Sequence, residues 1–307
     1  MNAPARSLEA TRDGGTPGRA ATGARRRGMP GRLVVFWDYD TAWGADRSRE
    51  PGGPKAWGHD EFVNTERLLE LHAQFSVPAC FAVVGSAALP GERPYHDPAQ
   101  IRRIAAMGHE VGSHSFRHEW LPGLAPDALR ETLRASREAL EQCIGGRVRT
   151  FVPPFNQPFD YPRALSFSLS ERREVRGHRN GFGDLCEALE ESGYSIVRGA
   201  YRPLPQRIAE RLAGHRLDRP LPARRIGALT CLRLNTPGGF GPDAIGILRR
   251  CAAEGGVVTA YGHPHSLHGI DYQNEQWLVP FLQEARKLIQ DGSLQAALPK
   301  EIGGELA

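Results

Sequence analysis

Two carboxylates and two histidines have the residue types and the spacing of a hydrolytic metal site. Asp38 and Asp40 close a short apolar stretch, and His114 and His118 follow much later in the chain, four residues apart. One carboxylate and two neutral imidazoles suit Zn²⁺ or a similar divalent ion, and they leave a coordination position open for water. The second carboxylate is then free to act as a base.

A third cluster of ionisable side chains, His263 and His265, follows an apolar segment at residues 256–260. Histidine gives or takes a proton near neutral pH, so either residue is a candidate general acid. Between the clusters, Pro153 and Pro154 break another apolar stretch, and such a break can direct a backbone N–H at the site. Solvated loop carboxylates and surface histidines are the simpler interpretation of each cluster taken alone.

Apolar stretches that alternate with amphipathic helices must position these side chains. The first strand is predicted at residues 33–37, and a helix at residues 126–144 carries leucines at helical spacing before Gly145. The alternation continues along the chain and indicates βα units around a mostly parallel sheet. Seven or so strands favour an α/β barrel, whose active sites lie at the carboxyl ends of the strands.

The composition argues against several classes of protein. The 307 residues include 40% hydrophobic side chains and carry a net charge of only +4, too small an excess to indicate a nucleic-acid partner. Much of that charge lies at the N-terminus, so we predict that residues 1–31 form a disordered basic N-terminal tail. No apolar run is long enough for a membrane span, and no secretory signal is recognisable.

The cysteines and the missing export signal point to one compartment. Five cysteines are scattered with no CxxC spacing, which is typical of reduced thiols rather than of a disulfide framework. We therefore predict a cytoplasmic protein.

The order of the motifs resembles the polysaccharide deacetylase family, the NodB-homology domain of carbohydrate esterase family 4. The resemblance extends over residues 32–299 and leaves residues 300–307 as a C-terminal tail. The most specific match is at residues 108–118. Further segments resemble the first, third and last motifs of the family, at residues 36–40, 152–155 and 260–264.

The resemblance implies a distorted (β/α) barrel with about seven parallel strands and a divalent metal, for which Zn²⁺ is the first choice. It also implies a role for each site residue: metal ligands Asp40, His114 and His118, general base Asp38, general acid His263, and an oxyanion hole at the backbone N–H of Phe155, next to Pro154. His265 stays an alternative to His263 as the acid.

Two positions depart from the family pattern. The arginine that usually pairs with the base is replaced by Val152, and Arg198 or Arg233 is a candidate to take its place. The Asp-Trp motif that normally tunes the catalytic histidine has no recognised counterpart.

The resemblance implies a hydrolase in which metal-bound water attacks an amide carbonyl and removes an N-acetyl or N-formyl group from a sugar or glycoconjugate. Trp43, Trp57 and Trp120 lie near the motifs, either to stack on a sugar ring or as part of the core. One alternative is a metal-independent amidohydrolase of the allantoinase-like branch, which the intact ligand set disfavours. A catalytically silent carbohydrate-binding domain and a nucleic-acid binder that uses the basic tail are the others.

Overall fold

A curled, mostly parallel sheet forms the centre of this computed structural model, which describes residues 29–48, 57–156, 180–199, 212, 220–236 and 238–305. The strands in these ranges are β1 (Gly31–Tyr39), β2 (Cys80–Val83), β3 (Glu110–Ser113), β4 (Thr150–Phe151), β5 (Ile196–Gly199), β6 (Arg224–Ile226), β7 (Leu229–Arg233), β8 (Val257–Gly262) and β9 (Leu294–Ala296). Their order is β6-β7-β5-β4-β3-β2-β1-β8, and β9 pairs with β1. Among these strands, β6 alone pairs in the antiparallel direction.

Helices connect the strands and pack against the outside of the sheet. In the described ranges they are α1 (Thr41–Ser48), α2 (Trp57–Phe75), α3 (Pro98–Ala106), α4 (Pro126–Ile144), α5 (Phe182–Glu191), α6 (Pro242–Glu254), α7 (Glu275–Gln290) and α8 (Pro299–Glu305). The predicted α/β class is confirmed, with the sheet curled into a half-barrel. Helix α8 occupies most of the predicted C-terminal tail and buries Ile302. Residues 1–28 of the predicted basic tail lie outside the described residues.

Alternate side chains of β1 face opposite sides of the sheet. Val34 and Phe36 lie in the small apolar cluster inside the half-barrel, whereas the intervening residues belong to the large core between sheet and helices. Because side chains two apart on a strand share a face, Asp38 and Asp40 continue the inner row at the carboxyl end of β1. Both carboxylates are buried, each with 2% exposure.

Side chains of neighbouring residues bind backbone groups along the outer edge of β8. Asn235, which follows β7, donates to the carbonyl of Val257 (2.8 Å) and accepts from the backbone N–H of Thr259 (2.9 Å), as a peptide group in a sheet would. The hydroxyl of Thr236 donates to the carbonyl of Thr259, and Leu221 forms an antiparallel bridge to Val257. These contacts satisfy backbone groups that an open edge would leave to water.

A buried histidine joins α2 to the sheet. The indole N–H of Trp37 donates to Nε2 of His72 at 2.7 Å, and Nδ1 of His72 lies 2.7 Å from the carbonyl of Val77. An indole nitrogen can only donate, so Nε2 is the acceptor and Nδ1 carries the proton. Burial, with a smaller contribution from His109, lowers the pKa of His72 to about 3. The folded protein therefore holds this imidazole in its neutral form at neutral pH.

We expect the free energy of unfolding to decrease as the pH falls below about 6.5, because the unfolded chain then takes up a proton at His72 that the folded state excludes. This group alone contributes a slope of about 1.4 kcal/mol per pH unit. His72→Gln, which keeps an acceptor for the indole, should lose that part of the slope in urea unfolding between about pH 7 and about pH 5. His59→Gln, exposed on the same helix, is the control. Equal slopes in the wild type and His72→Gln would contradict the prediction.

Candidate active site

Asp40, His114 and His118 lie together in a buried group just beyond the ends of β1 and β3. Nε2 of His114 is 3.3 Å and Nε2 of His118 is 3.7 Å from Oδ1 of Asp40. Ligand atoms of the three side chains all lie within 4.8 Å of one another. The structure thus brings together the three residues that the sequence selected as metal ligands.

The hydrogen bonding of His114 prepares Nε2 to bind a cation. Its Nδ1 lies 2.8 Å from the carbonyl of Val152, so Nδ1 donates its proton there and Nε2 carries a lone pair in the neutral ring. That lone pair faces Oδ1 of Asp40, a buried atom with no hydrogen-bond partner in the described part of the chain. Two electron-pair donors that face each other away from water require a proton or a metal ion between them. The donor set therefore fits a divalent metal.

Burial and the neighbouring charges together set the protonation of this group. Burial itself opposes the charge on Asp40, but the neighbouring His118 and His114 rings hold the pKa of the Asp40 carboxyl below its usual value. Burial lowers the pKa of His118 to about 4, in spite of the Asp40 carboxylate. A carboxylate and a neutral imidazole are the protonation states that bind a metal.

Strained backbone surrounds the same residues. Five non-glycine residues in the described ranges have a positive φ, and four of them adjoin the site: Thr41 (55°), Ser115 (64°), His118 (58°) and Phe155 (66°). The HxxxH segment is accordingly a tight turn rather than a helical turn. Such conformations persist only where the surroundings determine them.

Contacts from two helices hold these turns. Glu61 of α2 accepts the backbone N–H groups of Asp40 (2.9 Å) and Thr41 (2.5 Å). Ser136 of α4 donates to the carbonyl of Ser115 at 2.8 Å. Sequence reasoning missed Glu61, although an acid on the apolar stripe of an amphipathic helix is the signal that would have identified it. Burial and then the Asp40 carboxylate raise the pKa of Glu61 well above its usual value.

The second carboxylate, Asp38, forms a buried ion pair with Arg198 of β5. The terminal nitrogens Nη1 and Nη2 of Arg198 each lie 2.6 Å from one carboxylate oxygen of Asp38. Both side chains are almost completely buried. Burial alone would raise the pKa of Asp38, but Arg198 and the neighbouring histidines lower it. Of the two arginines that the sequence offered, Arg198 therefore makes this contact. Val152 lies instead in the apolar cluster inside the half-barrel.

His263 reaches the site from the end of β8. Its Nε2 lies 3.9 Å from Oδ2 of Asp38, and its side chain is 24% exposed. The ring of His265 lies 5.1 Å from that of His263 and packs against Trp57 at 3.8 Å. Asn64 of α2 fixes the intervening residue by donating to the carbonyl of Pro264 at 2.9 Å. His263 is therefore the histidine of this pair that faces the carboxylate.

The segment after β4 lies against the metal-ligand group. Pro154 is buried at the start of a short turn, and the ring of Phe155 packs against His118 at 4.6 Å and Trp120 at 5.6 Å. The place of the Phe155 N–H in an oxyanion hole stays a prediction. Trp120 and Trp57 are 5% and 8% exposed, which favours the core interpretation for both.

Comparison with known proteins identifies a related family. Residues 58–166 match the family model described as polysaccharide deacetylase. A chitooligosaccharide deacetylase from Sinorhizobium fredii (strain NBRC 101917 / NGR234) is 34% identical over 94 residues, which cover 30% of this chain and 41% of that protein. Over these residues, this chain is similar to the polysaccharide deacetylase family. The aligned part of this chain covers between 28% and 41% of the length of each curated relative that it matches.

Solved structures show the same fold at low sequence identity. A crystal structure from Mycobacterium smegmatis assigned as a polysaccharide deacetylase has a TM-score of 0.56 at 19% identity and covers 91% of this chain and 90% of its own. The structure of an allantoinase has a TM-score of 0.55 at 15% identity and covers 89% of each chain. Both likenesses concern the fold alone. Among the helices of the described residues, none has the length and hydropathy needed to cross a bilayer.

We expect Arg198→Met to lower the free energy of unfolding by about 3–5 kcal/mol, because it leaves the Asp38 carboxylate buried without its partner. Arg233→Met, the matched control on the neighbouring strand, should change it by less than about 0.5 kcal/mol. The double variant Asp38→Asn/Arg198→Met should recover part of the loss, since neither charge remains. Guanidinium unfolding measures all three, and equal losses in the two single variants would contradict the assignment of Arg198.

Proposed function

We propose that this protein is a metal-dependent hydrolase that removes an N-acetyl or N-formyl group from a sugar or glycoconjugate. The observation that carries the proposal is the buried group of Asp40, His114 and His118 beside a second carboxylate, Asp38. The chitooligosaccharide deacetylases among its relatives support a carbohydrate amide as the substrate.

In this proposal Asp40, His114 and His118 would hold the metal. Their mixed oxygen and nitrogen donors suit Zn²⁺, although the donor set admits other divalent ions. When bound, the ion would supply Lewis-acid chemistry, which makes a water more acidic and polarises the acyl carbonyl.

Asp38 is the proposed general base. Arg198 keeps its carboxylate ionised through the neutral pH range and fixes its orientation by two hydrogen bonds. Each carboxylate oxygen has a second lone pair, so a proton acceptor remains on the side that faces the site. The bidentate pair thus orients the base without consuming its capacity to take a proton.

His263 is the proposed general acid. Its Nε2, close to Asp38 and partly open to solvent, would donate a proton to the departing amine, which leaves the sugar with a free amino group. The backbone N–H of Phe155 would stabilise the oxyanion, an interaction worth about 10²–10³ in rate where it has been removed from other enzymes. The positive φ of Phe155 supports this role, because such strain is common at functional sites.

Two alternatives predict different chemistry. A metal-independent amidohydrolase shares the fold, but it has no use for the buried donor set at Asp40. A silent carbohydrate-binding domain was suggested by the missing arginine at Val152, and the contact of Arg198 with Asp38 weakens that argument. The cytoplasmic location and the absence of a nucleic-acid partner stay predictions from the sequence.

Incubation of the protein with Zn²⁺ and a panel of acylated sugars, including N-acetylglucosamine oligomers, should release acetate or formate. His114→Ala should lose both the metal and the activity, whereas Asp38→Asn should keep the metal and lose turnover. Acetate release and metal content by atomic emission are the measurements. Activity of Asp38→Asn within a few-fold of the wild type would contradict the base assignment, and substrate binding without hydrolysis would favour the silent domain.

Separate alanine variants should identify the acid. His263→Ala should lower kcat by about 10²–10⁴, the range that general acid catalysis contributes. His265→Ala should lower it less, because that ring packs against Trp57. His268→Ala, exposed in the same loop, is the control. A larger loss in His265→Ala than in His263→Ala would reverse the assignment.

A further inference from the structure

One side chain, Gln273, holds the histidine that faces Asp38. Its Oε1 lies 2.8 Å from the backbone nitrogen of His263 and 2.8 Å from Nδ1 of the same residue. A backbone N–H can only donate, so the atom that faces it must be the amide oxygen, which settles the orientation of the Gln273 amide. The same oxygen accepts the proton of Nδ1. The neutral ring therefore presents an unprotonated Nε2 toward Asp38.

Gln273 is itself held in place by its own loop. Its backbone N–H donates to Oδ1 of Asp271 at 2.9 Å, and its Nε2 lies 3.3 Å from Oδ2 of the same carboxylate. The next residue, Asn274, caps α7, and the backbone N–H of Glu275 donates to the carbonyl of Leu267 at 2.9 Å. The start of α7 thus fixes the amide that orients His263.

We propose that Gln273 is a positioning residue that fixes the tautomer and the ring orientation of His263, so that the proton exchanged with the substrate is carried on Nε2. The inference rests on the proposed function in that His263 is taken as the general acid. The amide oxygen accepts from Nδ1 whether or not Nε2 is protonated, so the ring keeps one orientation through a proton transfer.

The neutral charge of Gln273 has a further consequence. The ionisable groups around His263 in the described ranges include Asp38 on β1, with Arg198 bound on its far side, and His265 two residues along the chain. Asp40 and His118 of the metal-ligand group and Tyr261 of β8 also belong to this set. Gln273 adds a hydrogen-bond acceptor to this set without adding a negative charge. This chain therefore orients its histidine with an amide, and the Asp271 carboxylate acts on the amide rather than on the ring.

The test compares Gln273→Ala, Gln273→Glu and the control Gln276→Ala, an exposed glutamine three residues further along. With N-acetylglucosamine oligomers as the probe, Gln273→Ala should lower kcat by about 10- to 100-fold and change KM by less than about threefold, because orientation of the acid is lost and substrate contacts are kept. Gln273→Glu retains the acceptor and should recover most of kcat. Its added charge stabilises the protonated ring, so the alkaline limb of the pH–rate profile should move to higher pH.

The ¹⁵N signals of His263 in the substrate-free, Zn²⁺-loaded protein test the inference independently of turnover. The wild type, Gln276→Ala and Gln273→Glu should show one tautomer with the proton on Nδ1, and Gln273→Ala should show a mixture. The same tautomer and the same kcat in Gln273→Ala and the wild type would overturn the inference. A wild type that releases no acyl group, but whose tautomer depends on Gln273, would overturn the proposed function alone.

Discussion

An ionised carboxylate inside the half-barrel is the constraint on which the rest of the site depends. Asp38 continues the inner row of β1 after Val34 and Phe36, so its side chain enters an apolar interior where an unpaired charge is costly. Arg198 supplies the opposite charge from β5, which three other strands separate from β1 in the sheet. Its guanidinium donates to both carboxylate oxygens of Asp38. The guanidinium also lies over the rings of Phe36 and Tyr261, at 5.1 Å and 4.9 Å from their centroids. This ion pair therefore fixes the position of the end of β1 relative to β5 at the rim of the half-barrel.

The supporting contacts come from the helices, whereas the site residues themselves come from the strand ends. Glu61 and Asn64 of α2 bind the backbone at Asp40 and at Pro264, two segments that the chain separates by more than two hundred residues. Each contact satisfies a backbone group that a tight turn leaves unpaired, so the strain at the turn is balanced by a hydrogen bond that only the folded protein offers. The geometry of the rim therefore depends on how the outer helices pack, and not on the loops alone.

The sequence predicted the local elements more fully than the contacts between them. The alternation of apolar runs and helices identified the α/β class, and the helix at residues 126–144 has the predicted bounds, because its leucine spacing and Gly145 are local signals. The strand predicted at residues 33–37 spans residues 31–39 in the structure. Asp38 and Tyr39 are buried, but they do not continue the run of apolar residues from which the strand was predicted. The helix α1 and the hairpin of β6 and β7 went unpredicted, being short and weakly patterned. Partners such as Glu61 and Gln273 depend on tertiary contacts that no spacing rule reports.

The choice between the two leading chemistries rests on the donor set rather than on the fold. A parallel sheet with its strand ends at one rim supports many reactions, because the side chains at those ends can change while the core is preserved. In this chain the rim brings together two imidazoles and one carboxylate with an unsatisfied oxygen, next to a second carboxylate that is already paired. A reaction that needed only a base and an acid would gain nothing from burying Asp40, His114 and His118. The free energy of desolvating these three side chains would then be uncompensated. The burial of that donor set is therefore the strongest physical argument for a cation at this site.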